Sequence, residues 1–373
     1  MIIETTRDLA DLVDRACQTD AVALDTEFVW ERTYYPQLGL IQIALSDEDC
    51  ALIDPLAIED LSPLADLLSD RGVVKIFHDA PQDLAILYQA TGSPGQNVFD
   101  TKLAAGFVSL PSTLSLANLI RELLDISLAK SETRTNWLQR PLAPEQVQYA
   151  LDDVRYLRAI RVLLLSRVIG PKIRAWLQEE LNLLNNPLNY LDSNGKEERY
   201  RKVRGAGTLG RQSLAILRDL AHWRDEEAQK QNKPRGHIMK DATLVALAKA
   251  KDTELKAIGT DRGGLSTRAH KKDSERIRTI IGQVIACDDT TYPLPVKTMR
   301  LSEQETRLYQ KLHGLIELKS KLLGIDPVLL GNNSELKSLA KLLCNSRSAH
   351  LAQLRQTEGW RKSFLEEFFR YNR

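Results

Sequence analysis

Two carboxylates interrupt an apolar run near the start of the chain, at Val22-Ala23-Leu24-Asp25-Thr26-Glu27-Phe28-Val29. The run reads as a buried β-strand. Residues i and i+2 of a strand share a face, so Asp25 and Glu27 point the same way. Two acids side by side in a buried strand repel each other and resist losing water. A chain that keeps them there either holds a cation or brings a strand end to solvent. Both readings fit this stretch taken alone.

The 373 residues are too many for one ordinary core, so two or three domains are expected. No apolar run reaches 18 residues, which excludes a membrane-spanning helix. The first residues, Met1-Ile-Ile-Glu-Thr-Thr-Arg-Asp, lack the basic and apolar regions of a signal peptide. Cys17, Cys50, Cys287 and Cys344 stand singly, with no C-x-x-C pair and no disulfide framework. That spacing fits a reducing compartment, and a cytoplasmic location is expected. Charge is uneven along the chain. Residues 1–170 hold 14 Lys and Arg against 25 Asp and Glu, and the remainder holds 37 against 25. An acidic front suits cation binding, and a basic back suits a polyanion.

Periodicity predicts a helix over Thr6–Ala16 and strands at Ala21–Val29, Gly39–Leu45 and Cys50–Ile53, the three strands forming an antiparallel meander. A helix over Ile58–Leu68, a strand at Val73–Phe77 and a helix over Pro81–Ala90 follow. After a short strand-like stretch at Val98–Thr101, the clearest helices are Leu114–Leu124 and Pro144–Leu165. Strands first, then strands alternating with helices, predict an α/β fold with a mixed sheet. Residues 191–211 read as a linker rich in Gly and basic residues. In it Tyr200 stands among Lys196, Arg199, Arg201, Lys202 and Arg204, a pattern that suits single-stranded RNA or a solvated linker equally. Beyond it the pattern is helical, over 212–288 and again over 300–373, with a weak repeat of the type Leu-x-x-Leu-Ala.

Further acids follow in order. Asp83 lies in His78-Asp79-Ala80-Pro81-Gln82-Asp83, at the third position of a helix that starts on Pro81. An acid there also serves as a simple cap for orphan N–H groups. Tyr149 and Asp153 are spaced i, i+4 in Tyr149-Ala-Leu-Asp-Asp153, so they share a helix face, while Asp152 turns about 100° away toward solvent.

The set resembles the 3′→5′ exonucleases of the ribonuclease-H-like fold whose sites carry four acids and a tyrosine. Leu24-Asp-Thr-Glu-Phe-Val, Arg32-Thr-Tyr-Tyr-Pro-Gln-Leu-Gly-Leu-Ile-Gln, Lys130-Ser-Glu-Thr-Arg-Thr-Asn-Trp137 and Tyr149-Ala-Leu-Asp-Asp-Val narrow the resemblance to the ribonuclease D family over the first 170 residues. The back half resembles the helicase-and-RNase-D C-terminal (HRDC) domain through Leu217-x-x-Leu220-x-x-Trp223-Arg224, Ala228, Asn232-x-Pro234, Ile238 and Asp241-x-x-Leu244-x-x-Leu247-Ala248. Residues 300–373 look like a degenerate second copy, in which Leu323-Gly-Ile-Asp-Pro-Val-Leu-Leu departs from the Asn-x-Pro pattern.

The resemblance implies an α/β ribonuclease-H-like exonuclease domain with a mixed sheet over 1–170, a helical connector and basic linker over 171–207, an HRDC domain over 208–288 and an HRDC-like one over 300–373. It implies hydrolysis from the 3′ end with two divalent ions, Mg²⁺ or Mn²⁺, and release of nucleoside 5′-monophosphates. Asp25 would bridge both ions, with Glu27 and Asp153 completing the site that activates water. Asp83 would support the second ion, and Tyr149 would hold the attacking water. Thr26, Phe28 and His78 are expected near the terminal nucleotide, and Lys130, Arg134 and Trp137 near the RNA backbone or bases. Substrates would be tRNA precursors and other small structured RNAs, with the protein a monomer. Two rivals stand beside this reading: a DNA exonuclease of repair, and a non-catalytic RNA-binding protein.

Overall fold

A computed structural model describes residues 1–128, 135–191, 198–249, 268–294, 301–344 and 354–371, with the backbone alone over 268–272. Lys130, Arg134 and Lys196 lie outside the described residues. The chain divides into two units. One holds Met1–Val29, Leu38–Leu191 and Leu301–Arg373; the other holds Trp30–Gln37 and Asp192–Arg300.

The first unit is built on six strands: β1 (Ile2–Ile3), β2 (Ala21–Val29), β3 (Gln37–Ala44), β4 (Cys50–Ile53), β5 (Val74–Phe77) and β6 (Val98–Asp100). Their order is β1-β4-β3-β2-β5-β6. Strands β3 and β4 pair antiparallel, while β1 with β4, β2 with β5 and β5 with β6 are parallel, so the sheet is mixed as expected. Two residues are too few to show a period, and β1 is absent from the sequence expectation for that reason.

Helices α1 (Thr6–Ala16), α2 (Ser62–Ser69), α3 (Pro81–Thr91), α4 (Thr101–Ala105), α5 (Leu116–Leu124), α6 (Pro144–Arg155), α7 (Leu157–Arg167) and α8 (Pro171–Leu183) complete the front of the chain. The helix expected from Ile58 begins only at Ser62. There the Asp60 carboxylate accepts the Ser62 amide and hydroxyl, and Pro63 fills the first turn. The single helix expected over Pro144–Leu165 is two, parted at Tyr156 (φ −96°, ψ −5°). A break of one residue leaves the spacing of apolar side chains nearly intact, so periodicity does not register it.

Strands β2, β3 and β5 bury residues on both faces because helices cover the sheet; Val22, Leu24, Ile41, Ile43, Ile76 and Phe77 are fully buried, as are the polar Gln42 and Lys75. The helices expected over 300–373 are present as α13 (Glu303–Leu323), α14 (Asn333–Cys344), α15 (Gly359–Phe364) and α16 (Glu366–Tyr371). Their apolar faces join the first unit's core instead of closing on themselves, with Leu312, Ile316, Trp360 and Phe364 in the same cluster as Leu177 and Phe107. The junction also carries a buried ion pair between Arg361 and Glu180, and the Trp360 indole donates to the same carboxylate at 2.6 Å.

The second unit packs α9 (Arg211–Lys230), α10 (Arg235–Ile238), α11 (Asp241–Lys249) and α12 (Arg268–Ala286). Its core gathers Leu214, Leu217, Leu220, Trp223, Leu244 and Ile277. Trp223 is 5% exposed, a core residue as its spacing with Leu217 and Leu220 implies. Residues 30–37, from the chain between β2 and β3, belong to this unit. The Tyr34 hydroxyl donates to Asp225 at 3.1 Å and accepts from Arg235 Nη2 at 2.9 Å and Gln229 Nε2 at 3.1 Å. The Arg235 guanidinium lies 4.8 Å from the centre of the Tyr34 ring, a cation–π contact. Asn232 Oδ1 accepts the amides of Tyr34 and Tyr35.

Candidate active site

Strand β2 leaves the core at its carboxyl end. It is fully buried through Leu24 and partly open from Asp25 onward, Thr26 excepted. Its parallel pairing with β5 runs from Ala21↔Val74 to Ala23↔Ile76 and stops there, so Asp25 and Glu27 project past the paired register. Open sheets place ligands beyond the carboxyl ends of parallel strands, and this is such a place. The chain after β5 turns there into α3, which carries Asp83. Helix α6 packs against β2 and β4 and brings Tyr149 and Asp153.

One carboxylate oxygen each from Asp25, Glu27 and Asp153 lies within 4.8 Å of the others. Asp83 stands beside this trio. It is 7% exposed, and its Oδ1 accepts from the Thr26 hydroxyl at 2.5 Å. The Tyr149 hydroxyl lies on the Asp153 side of α6, close enough for each group to shift the other, as the i, i+4 spacing allows. Asp152, one residue away, accepts from Gln148 at 2.9 Å and pairs with Arg155 at 3.4 Å, clear of the trio.

Burial and mutual repulsion push every one of these acids toward its protonated form. Glu27 rises to about 8 through burial, then the charges of Asp153 and Asp83. Asp83 rises to about 7 through burial, against the Thr26 hydrogen bond that favours its ionised form. Asp153 also reaches about 7, with burial dominant and the nearby Tyr149 hydroxyl opposing the rise. Asp25 is raised well above the carboxylate range by burial and then by Asp83, Asp153 and Glu27. The Tyr149 phenol is raised well above its ordinary value by burial and by Asp153 and Glu27, so it stays a neutral donor at neutral pH. A group of crowded carboxylates with no cationic side chain among the causes of its shifts suits a hard divalent cation, which prefers oxygen donors.

Other expected residues divide. Thr26 is buried and engaged by Asp83, and Phe28 is partly buried on β2. His78 is turned into the protein. Nε2 donates to the Leu114 carbonyl at 3.1 Å and Nδ1 accepts from Thr101 Oγ1 at 2.9 Å, and burial lowers its pKa to about 4, so the ring is neutral. Trp137 corrects the expectation of an RNA contact. It is 1% exposed, in an apolar cluster with Leu40, Leu52 and Ala150, and its ring lies 6.1 Å from that of Tyr149. An aromatic beside basic residues looks the same in sequence whether it stacks on a base or fills a core.

Asp100 is the residue the sequence reading passed over. Its carboxylate caps α4 by accepting the Lys102 and Leu103 amides at 2.9 and 3.2 Å. It also accepts the amides of Asp79 (φ 70°) and Ala80 at 3.1 and 3.0 Å, which holds the turn that launches α3 and Asp83. The visible signal is an Asp at a strand end directly before a helix, an N-cap signature. Its second pair of bonds is long-range and leaves no trace in local spacing.

A sequence profile of 3′-5′ exonucleases matches residues 1–169, and one of the HRDC domain matches residues 213–277. The chain is 51% identical over 372 residues to ribonuclease D of Desulfotalea psychrophila, covering 100% of this chain and 98% of that one. It is 35% identical to ribonuclease D of Pseudomonas paraeruginosa, covering 86% and 84%. Among solved structures it is similar to Escherichia coli RNase D, described as an exoribonuclease involved in structured RNA processing. That likeness has a TM-score of 0.84 at 28% identity and covers 100% of this chain and 97% of the other.

Proposed function

This chain belongs to the ribonuclease D family and is a 3′→5′ exoribonuclease, and from that premise we propose that Asp25, Glu27, Asp83 and Asp153 hold two divalent cations, Mg²⁺ or Mn²⁺, at the 3′ end of a structured RNA. The exonuclease domain is of a metal-dependent kind. The observation that supports the ligand set is the convergence of three carboxylate oxygens within 4.8 Å, all of them disfavoured as bare anions. Bound divalent metal lowers the pKa of a water and neutralises charge on the phosphodiester. Asp25, Glu27 and Asp153 would hold the cation that activates water. Asp83, fixed by Thr26, supports the second from beside the trio. Tyr149, neutral and beside Asp153, would orient the water and not take its proton.

The products are nucleoside 5′-monophosphates, and the substrates are tRNA precursors and other small structured RNAs. Phe28 and the backbone at Thr26 face the terminal nucleotide, the ring by stacking. His78 is bonded at both nitrogens to the protein, at Thr101 and Leu114. The second unit carries a 910 Å³ groove in which Lys202 and Arg276 stand beside Arg201 and Arg218, these two paired to Glu198 and Asp219, and its excess of basic residues suits the RNA body. The division into 1–170, 171–207, 208–288 and 300–373, a monomeric state and a cytoplasmic location belong to the same proposal. No helix among the described residues is long and apolar enough to cross a membrane.

A time course on a 3′-extended tRNA with Mg²⁺, Mn²⁺ or chelator tests the reading. Stepwise loss of 5′-monophosphates, stopped by chelator and by Asp25→Asn, is expected. Activity that survives chelation or Asp25→Asn refutes it. Parallel RNA and DNA oligonucleotides decide the sugar preference, since the acids serve both and a 2′-hydroxyl contact alone separates them.

A further inference from the structure

We propose that Arg140 and Trp137 are positioning residues that set the ring of Tyr149, an inference that rests on the role given to Tyr149 above. The Arg140 guanidinium has five N–H donors and all five find acceptors. Nε and Nη2 reach the two oxygens of Asp54 at 2.5 and 2.8 Å. Nη2 also donates to the Gly39 carbonyl at 2.6 Å, and Nη1 to the carbonyls of Trp137 and Gln139 at 2.9 Å each. Asp54 is 3% exposed and follows the last residue of β4, and Gly39 lies on β3. One side chain therefore clamps the 137–140 stretch onto two strands of the sheet.

The clamp aims Trp137. A Cβ added at Gly39 would lie 2.7 Å from the Trp137 carbonyl oxygen and 2.9 Å from its Cβ, so β3 lies directly against this residue and only glycine fits. The indole, shut off from water, is tilted 35° to the Tyr149 ring at 6.1 Å and shares its cluster with Ala150 of the same helix. The Tyr149 ring thus has Trp137 as its packing partner and its hydroxyl on the Asp153 side. A rotation of roughly 10° moves a phenol oxygen by about 1 Å, and misplacement of that size costs as much as ~10²-fold in rate. A residue that blocks such a rotation acts on kcat without touching substrate.

The test uses the full-length protein with a short single-stranded RNA. Trp137→Leu, Arg140→Lys and Gly39→Ala are expected to lower kcat by about 10- to 100-fold, with KM within about twofold and the Mg²⁺ dependence unchanged. Trp137→Phe, which keeps an aromatic surface, is expected to recover most of the loss. In a Tyr149→Phe background each change is expected to cost less than about twofold more, because the group being aimed is already gone. Full multiplication of the two losses overturns the proposal, as does unchanged kcat in the folded single variants. Should Trp137→Leu fail to fold, Trp137→Phe and Arg140→Lys carry the same cycle. If Tyr149→Phe alone keeps full kcat, the role of Tyr149 falls, and that outcome is read independently of the platform variants.

Discussion

Replacing Asp25 with Asn removes one carboxylate from a crowded acidic site, and the apo protein should gain stability while losing activity. Glu27 has its pKa raised from 4.5 to about 8. Between those values the unfolded chain has released a proton that the folded chain still holds, so stability falls as pH rises through that window. Above it that penalty stands in full, and Asp25 adds its own, raised by burial and then by Asp83, Asp153 and Glu27. Much of this is burial, which Asn leaves in place; only the repulsion is relieved. A gain of about 1–3 kcal/mol remains for Asp25→Asn, or a melting temperature about 2–6 °C higher near pH 8.5. Near pH 5, where the folded site is largely protonated, the gain should nearly vanish. Added Mg²⁺ should reverse the order, since binding to the native state stabilises the parent protein by mass action and the variant much less. The assay is thermal melting with chelator or Mg²⁺ across that pH range. A melting temperature that drops in chelator at high pH, or a gain equal at both pH values, refutes the repulsion argument.

Three other outcomes are expected. Thr26→Val removes the donor that favours ionised Asp83, so the carboxylate keeps its proton to higher pH; the midpoint of Mn²⁺ binding followed by calorimetry should move up in pH, and an unmoved midpoint counts against the contact. Arg361→Met strands Glu180 as a buried anion and should cost about 3–5 kcal/mol in urea unfolding, most of it recovered by adding Glu180→Met. Lys202→Ala with Arg276→Ala should weaken binding of structured RNA and flatten the salt dependence by about one unit per lost phosphate contact; an unaltered slope speaks against the groove.

The parts of the site legible in sequence are those set by local geometry. The period of a strand puts Asp25 and Glu27 on one face, and the pitch of a helix lets Tyr149 reach Asp153 and not Asp152. The parts that were not legible depend on partners far along the chain. Arg140 meets Asp54 across 86 residues and Gly39 across 101. Trp137 was misread because burial is decided by those partners, not by the polar residues beside it. The helices of 300–373 were legible as helices, but an apolar stripe does not say which surface will cover it. Here the cover is the core of the exonuclease unit.

The polypeptide passes between its two units four times, after Val29, Gln37, Leu191 and Arg300. A protease that nicks the backbone between Leu191 and Asp192 therefore severs one thread of four. The fragment carrying Trp360 and Phe364 stays embedded among the residues of the other fragment, and Tyr34 stays bonded to Asp225. Nicked material should migrate as one particle under native conditions and come apart only in denaturant.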